Sequence, residues 1–329
     1  ITITDTEDGS DVIFTGAVTT DTLDLGQAGY DLVFNGGGTF TNAVTFDNTG
    51  TLNLGNAAGD TFTFNGGLTE TTTGTVTLAS AISSSNDAIS FGAVTLGSNV
   101  TLDTNASNTT GDLTLGVVTG GSNSLTLSTG NNVANSDITA SGNISGVTTL
   151  TLSDVGGTAT LSGDVDVTTL TVGSTVANMA FTGNGSSVTN AVTFANDGTL
   201  ILGTSGGTQT YNGGLNTASV GSTVTLNGTI ATSDDAIVLG AVTLASATTV
   251  DTNASSTTGD LTLGVVTGGN NTLTLSTGNN VNDSDITASG NISGVTTLTL
   301  ADVGGTATLS GDVDVTTLTV GNTVANVAF

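Results

Sequence analysis

The sequence predicts an all-β chain wound as a parallel β-helix, a β-solenoid with coils of about 20–30 residues and no helix. Three observations carry that expectation: a long tandem repeat, a shorter beat inside it, and period-two alternation of apolar residues in a chain without proline. The long repeat matches residues 41–181 with residues 189–329 at an offset of 148, with one single-residue slip near Phe64 and Tyr211. Between Ser136–Gly173 and Ser284–Gly321 one position differs, Ser153 against Ala301, which points to recent duplication or homogenisation.

The beat is an apolar residue followed one or two positions later by Gly. Its markers are Phe14, Phe34, Phe64, Phe91, Leu115, Ala140, Leu161, Phe181, Tyr211, Leu239, Leu263, Ala288, Leu309 and Phe329. Their spacing of about 20–30 residues is the length of one solenoid turn and too short for a domain. Each marker is expected to close a short strand before a Gly turn. Between markers lie apolar pairs at i and i+2, such as Val76/Leu78, Leu125/Leu127, Leu150/Leu152 and Leu298/Leu300, whose period of two is that of a strand. Clusters such as Gly120-Gly121-Ser122-Asn123 and Gly130-Asn131-Asn132 supply the turns. The Thr, Val and Gly content opposes helix formation, and no window carries a helical period.

A coil of this size buries its Val, Leu and Phe only against the next coil, so residues 1–329 are expected to form a single continuous solenoid containing the two long repeats. The absence of proline agrees, because every interior strand must donate its N–H groups to a neighbour. The competing arrangement is a string of β-sandwiches, one for each long repeat, whose strands would recur at short, even intervals without a coil-length beat. A right-handed coil is the default for parallel connections.

Composition removes most chemistry. The chain has no Lys, Arg, His, Cys or Trp, and its 27 acidic residues leave a formal net charge of −27. There is no imidazole base, thiol, Schiff-base amine or soft-metal ligand, so only carboxylates, hydroxyls, amides and backbone remain. A surface without cations repels nucleic acid and anionic membranes. No apolar run approaches the roughly 18 residues of a membrane span. Ile1-Thr2-Ile3-Thr4 lacks a basic leader and does not begin with Met, so the chain is expected to be a piece of a longer repeat array.

Phrases such as Phe91-Gly-Ala-Val-Thr-Leu-Gly-Ser-Asn-Val-Thr-Leu-Asp and Gly111-Asp-Leu-Thr-Leu-Gly-Val-Val-Thr-Gly-Gly-Ser-Asn-Ser-Leu-Thr-Leu recur along nearly the whole chain. In this the sequence resembles the large secreted β-helical exoproteins of bacteria, the filamentous haemagglutinin-like adhesins and autotransporter passenger repeats. The resemblance implies an extracellular or cell-surface fibre used for adhesion or envelope structure. It departs from that pattern in showing no secretion domain at the start and no translocator barrel at the end.

Three candidate sites follow from the residues. Alternation that turns Leu150 and Leu152 inward turns Thr151 outward, and stacked coils are expected to align Thr77, Thr101, Thr126, Thr151, Thr171, Thr193, Thr225, Thr274, Thr299 and Thr319 in one exposed ladder, interrupted at Asp251. Such an array suits ice or a crystalline polysaccharide; its plainer explanation is that Thr is a good strand former at solvent positions. Acidic residues cluster at Asp154, Asp164 and Asp166, again at Asp302, Asp312 and Asp314, and also at Asp5/Glu7/Asp8 and Asp234/Asp235. Oxygen-only ligands suit Ca²⁺, although the calcium-binding nonapeptide and the EF-hand loop are both missing. The plainer explanation is solvated charge that prevents lateral sticking. Paired carboxylates also run glycoside hydrolysis, yet a chain without a cation or an aromatic platform is expected not to be an enzyme. Sequons such as Asn105-Ala-Ser and Asn253-Ala-Ser are too common here to carry weight.

The sequence thus favours a structural or adhesive extracellular fibre segment, without cofactor unless Ca²⁺ binds. Its expected partners are copies of itself, by head-to-tail stacking or continuation of the array, and cell-surface glycan. The second reading is a binding module that uses the threonine ladder.

Overall fold

The fold is described from a computed structural model, for residues 1–329 apart from Asp5, Thr6, Thr73 and Asn279. Short strands joined by turns make up these residues, no helix occurs among those described, and the strands pair in parallel, coil upon coil. The fold is a parallel β-solenoid. Its residues divide into two compact units, Ile1–Val167 with Thr175–Asn178 and Thr168–Ser174 with Met179–Phe329.

In the first unit each coil contributes to three ladders. The first stacks Asp11–Phe14, Asp31–Phe34, Leu52–Leu54, Val76–Leu78, Val94–Leu96, Val118–Thr119 and the start of Ile144–Leu152. The second stacks Val18–Thr20, Gly38–Phe40, Thr61–Phe64, Ala81–Ser84, Val100–Asp103, Leu125–Ser128 and the end of Ile144–Leu152. The third runs from Val44–Phe46 through Leu68–Glu70, Ile89–Phe91, Leu113–Leu115 and Ile138–Ala140 to Val155–Leu161. Thr2–Ile3 and Asp24–Leu25 form a separate parallel pair.

Like residues stack on like because the pairing is in register. Phe14 lies on Phe34 with ring centroids 4.7 Å apart, and Phe40 on Phe64 at 4.8 Å. Those distances are the strand spacing itself, so rings at matching positions of successive coils stack face to face. Phe34 also meets Phe40, Phe46 and Phe62 edge-on at 6.0, 6.3 and 6.1 Å, joining the three walls in one interior. From coil to coil the rings give way to Leu, Ile and Val, as in Ile82, Leu102, Leu127 and Leu152, all buried.

Thirteen of the fourteen sequence markers close a strand, from Phe14 to Leu309. They do not all mark the same corner, however: Phe34 is on the first ladder, Phe64 on the second and Phe91 on the third. The interval from Phe34 to Phe64 is therefore not one coil. Register shows that coil length varies: Thr77 pairs with Thr95 across a short coil, and Thr119 with Ser145 across a longer one. The glycines that follow Leu115, Ala140 and Leu161 on the third ladder have a steric reason. A Cβ on Gly116 would lie 2.8 Å from the backbone of Gly92, and one on Gly142 2.5 Å from that of Gly116. Glycine backbones pack on one another at this corner.

The second unit repeats the plan. One ladder takes Met179 to Leu200, Val224, Val242, Val266, Ile292 and Val313. Another takes Val192 to Leu215, Ile237, Leu261, Ile286, Ala307 and Val327. Met179 and Val327 are equivalent in the long repeat, and yet they stand on different ladders of this same unit. From Met179 the chain completes six coils at Val313 and then passes a further ladder at Thr317–Val320 before it reaches Val327. The long repeat is six coils and two thirds of a seventh.

Candidate functional site: the outward threonine columns

On every wall, residues between two inward apolar positions face out, and register decides which of them become neighbours. On one ladder of the second unit Thr208, Thr229, Thr249, Thr274, Thr299 and Thr319 follow one another without a break. The corresponding column in the first unit runs Thr61, Ala81, Thr101, Thr126, Thr151. In the second-unit column Thr208 and Thr319 are exposed and the four between them are half-buried, their methyl and hydroxyl groups lying in a shallow row.

The single ladder expected from the sequence is thus corrected to several. Thr101, Thr126 and Thr151 share one column, and Thr274, Thr299 and Thr319 share another. Thr77 stands on a different wall between Asn53 and Thr95, and Thr225 between Ile201 and Thr243. Thr193 faces Asn216 on a third. Thr171 is exposed on Val165–Val172. Asp251 interrupts nothing: it sits in the neighbouring column, opposite Ala231 and Ser276, while Thr249 keeps the threonine row intact. Thr208, Thr229 and Thr249 escape the sequence pattern because their inward neighbours include Gln209, Gly228 and Thr248 rather than an apolar pair. Alignment of Thr249 with Thr101 in the long repeat is the signal that finds one of them.

Hydroxyls are spread over the remaining walls too. In the first unit Thr45, Thr69, Ser90, Thr114, Thr139 and Thr160 form another outward column. A depression of about 210 Å³ beside Thr75, Thr95 and Thr119 and one of about 270 Å³ beside Thr193, Asn216 and Asp235 lie open along such columns.

Several acidic side chains serve the stacking. Asp112 accepts the N–H of Asp137 at 3.0 Å, and Asp137 accepts that of Thr158 at 2.7 Å, each one coil on. Asp260, Asp285 and Thr306 repeat the chain of contacts at 3.0 and 2.6 Å. The candidate Ca²⁺ ligands are not gathered into a cage, and among the described residues no three acidic side chains come together to hold a metal ion. Asp154 is an exposed turn residue with φ 49°, whose N–H goes to the Thr175 hydroxyl at 3.2 Å. Asp164 immediately precedes the strand that carries exposed Asp166. Its N–H is held by Asn143, as that of Asp312 is by Asn291, both at 3.0 Å. Asp314 pairs with Ser293, and Asp302 accepts the hydroxyl of Thr323. Asp5 lies outside the described residues; Asp8 accepts the N–H of Gly29 at 3.0 Å.

Asp234 is the best-held carboxylate. It accepts the N–H groups of Ser255 and, at 2.8 Å, Ser256, and both seryl hydroxyls. The backbone bond from Ser255, then that from Ser256, pulls its carboxyl down to about 2. Asn86 occupies the equivalent place in the first unit and accepts from Ser107 and Asn108 in the same way. An uncharged amide accepts from the corresponding backbone N–H groups there, so the loop is a structural clasp.

Comparison with known proteins finds no matching family model, no matching curated protein and no matching solved structure. The columns present regular rows of hydroxyl, methyl and amide groups at strand spacing, on a surface without a cationic side chain.

Proposed function

We propose that this chain is a segment of an extracellular structural or adhesive fibre, without enzymatic activity, whose partners are further repeats of its own kind and cell-surface glycan. The observation that carries the reading is the phase of the long repeat. Within the second unit Met179 and Val327, one long repeat apart, stand on different walls, a rotation that offers equivalent groups on more than one side. A fibre that adheres or bundles from all sides uses that rotation; a module built for one flat target loses it. The composition supports the same reading, since a chain without Lys or Arg offers no trypsin-type cleavage site, and stacked coils leave little backbone accessible to other proteases. The acidic surface keeps such a fibre soluble.

Electron cryomicroscopy of the native material tests it. Long uniform filaments with a repeat near about 4.8 Å along the axis are the expected result. Discrete short particles overturn it.

The unbroken row from Thr208 to Thr319 favours one other reading, a module that binds ice or a crystalline polysaccharide through that wall. Loss of such binding on substitution within the row separates the two.

A further inference from the structure

The last strand, Val313–Ala328, pairs along one edge with Ile292–Leu309 and along the other with nothing among the described residues. Its inward side chains are left uncovered: Leu318 is 37% exposed, Val320 46% and Phe329, just beyond the strand, 76%. Their equivalents one long repeat earlier are Leu170, Val172 and Phe181, exposed by 3%, 6% and 0%. The same sequence is thus present twice in the second unit, once covered and once bare.

What covers the first copy is visible. Leu200, Ile201 and Leu202 pair with Met179, Ala180 and Phe181, and Asn190 donates its backbone N–H to the Thr168 carbonyl at 2.8 Å and its side-chain amide to Thr169 at 2.9 Å. The covering segment is residues 182–202, the opening coil of a long repeat. Residues 34–54 hold the corresponding place in the preceding repeat.

We infer that the free edge of Val313–Ala328, with Phe329, is a docking surface for the opening coil of another long repeat, a segment with the sequence of residues 182–202. The Leu200–Leu202 strand of the incoming coil lies on Val327–Phe329, as it lies on Met179–Phe181 within the chain. Its asparagine corresponding to Asn190 reaches the Thr316 carbonyl and the Thr317 hydroxyl, the counterparts of Thr168 and Thr169. Main-chain bonds along the edge give the affinity, and the uncovered Leu318, Val320, Val327 and Phe329 fix the register. Phase is part of the recognition: Val327 lies on the wall that follows Thr317–Val320, so only a coil in that register continues all three walls. The inference deepens the fibre reading by naming what extends the array, but its test needs neither adhesion nor filaments.

A fluorescent peptide with the sequence of residues 182–204 is titrated into the whole chain and followed by anisotropy. Saturable one-to-one binding is expected, weakened about ten-fold or more by Phe329→Asp with Val327→Asp. Ile13→Asp, on the first coil, leaves it unchanged. Because the peptide must order itself on binding, a second protein carries the same segment appended after Phe329, and hydrogen exchange is read along Val313–Ala328. Slowed exchange there is expected. The inference is overturned if neither format shows docking, or if Phe329→Asp with Val327→Asp leaves it intact. It is equally overturned if the protein pairs with a second copy through this edge and the peptide does not compete. Failure to find filaments in the native material, with peptide docking intact, would count against the fibre reading alone.

Discussion

Tyr211 donates its phenolic hydroxyl to Oε1 of Gln209 at 3.0 Å, two residues back on the same strand and wholly inside the coil. Gln209 passes the bond on, donating Nε2 to the carbonyls of Phe181 at 2.9 Å and Gly183 at 3.3 Å. Burial pushes the Tyr211 phenol upward, so it is a neutral donor at every pH of interest. The equivalent places in the first unit hold Phe62 and Phe64, nearly parallel rings 6.2 Å apart. One site is solved by a closed polar network and the other by an apolar pair. Tyr211→Phe leaves Gln209 Oε1 buried without its donor and is expected to cost about 1–3 kcal/mol. Tyr211→Phe combined with Gln209→Phe copies the first unit and is expected to recover most of that loss, which a double-mutant cycle by denaturant unfolding measures.

Asp234 makes one part of stability depend on acid. Its carboxyl is held at about 2 in the folded chain against 3.8 ordinarily, so the folded state favours the charged form. The resulting stabilisation is fully present above the ordinary value and is lost as pH falls toward 2. Asp234→Asn, which installs the residue found at position 86, removes that dependence. The difference in melting temperature between the two proteins is expected to shrink from about pH 5 to about pH 2. A constant difference would show that the charge plays no part in the clasp.

Much of the fold is legible in the sequence because strand ends are written as residue types. The markers Phe14, Phe91 and Leu115 close strands since an inward side chain must precede a corner, and Gly116 follows since its backbone packs on that of Gly92. Period two tells inward from outward, so Thr126 and Thr151 are readable as outward. It carries no information on which of three walls a residue joins. Thr77 and Thr101 are outward alike and lie on different walls, and only the register between coils of unequal length separates them. Long-range pairing decides that, and it has no local signature. The acidic groups mislead for a related reason: Asp154, Asp164 and Asp166 are close in sequence, but they do not form a cluster, the N–H of Asp154 going to the Thr175 hydroxyl and that of Asp164 to the Asn143 amide oxygen.

The stacked glycines give a stringent test of coil spacing. Neither Gly116 nor Gly142 has a positive φ, so their requirement is for close approach rather than for a special backbone conformation. A methyl on Gly142 meets the carbonyl carbon of Gly116 at 2.5 Å, and on Gly290 that of Gly264 at the same distance. Backbone, unlike a side-chain tip, cannot swing aside. Gly142→Ala is expected to destabilise by about 1–3 kcal/mol, more than the gain an alanine brings at an unhindered site. Gly59→Ala, where nothing lies within 4 Å, serves as the control and is expected to be near neutral. Thermal unfolding of both variants reads the difference.

The threonine row separates the two functional readings. Thr274 and Thr299 are neighbours at the middle of the unbroken column, half-buried between other threonines. Lysine there adds a long charged chain to a flat wall without touching the inward residues Leu273, Leu275, Leu298 and Leu300. Thr274→Lys with Thr299→Lys, and likewise Thr126→Lys with Thr151→Lys, are expected to change unfolding stability by no more than about 0.5 kcal/mol per site. If the protein works as a fibre, filament formation persists in these variants, because coil pairing runs along the axis and not through the outward groups. If it works as a module on ice or crystalline polysaccharide, retention on that solid is lost in the variants while filaments, if any, remain. Unchanged retention by a protein that does bind such a solid would remove the threonine row from the account and leave the binding surface on another wall.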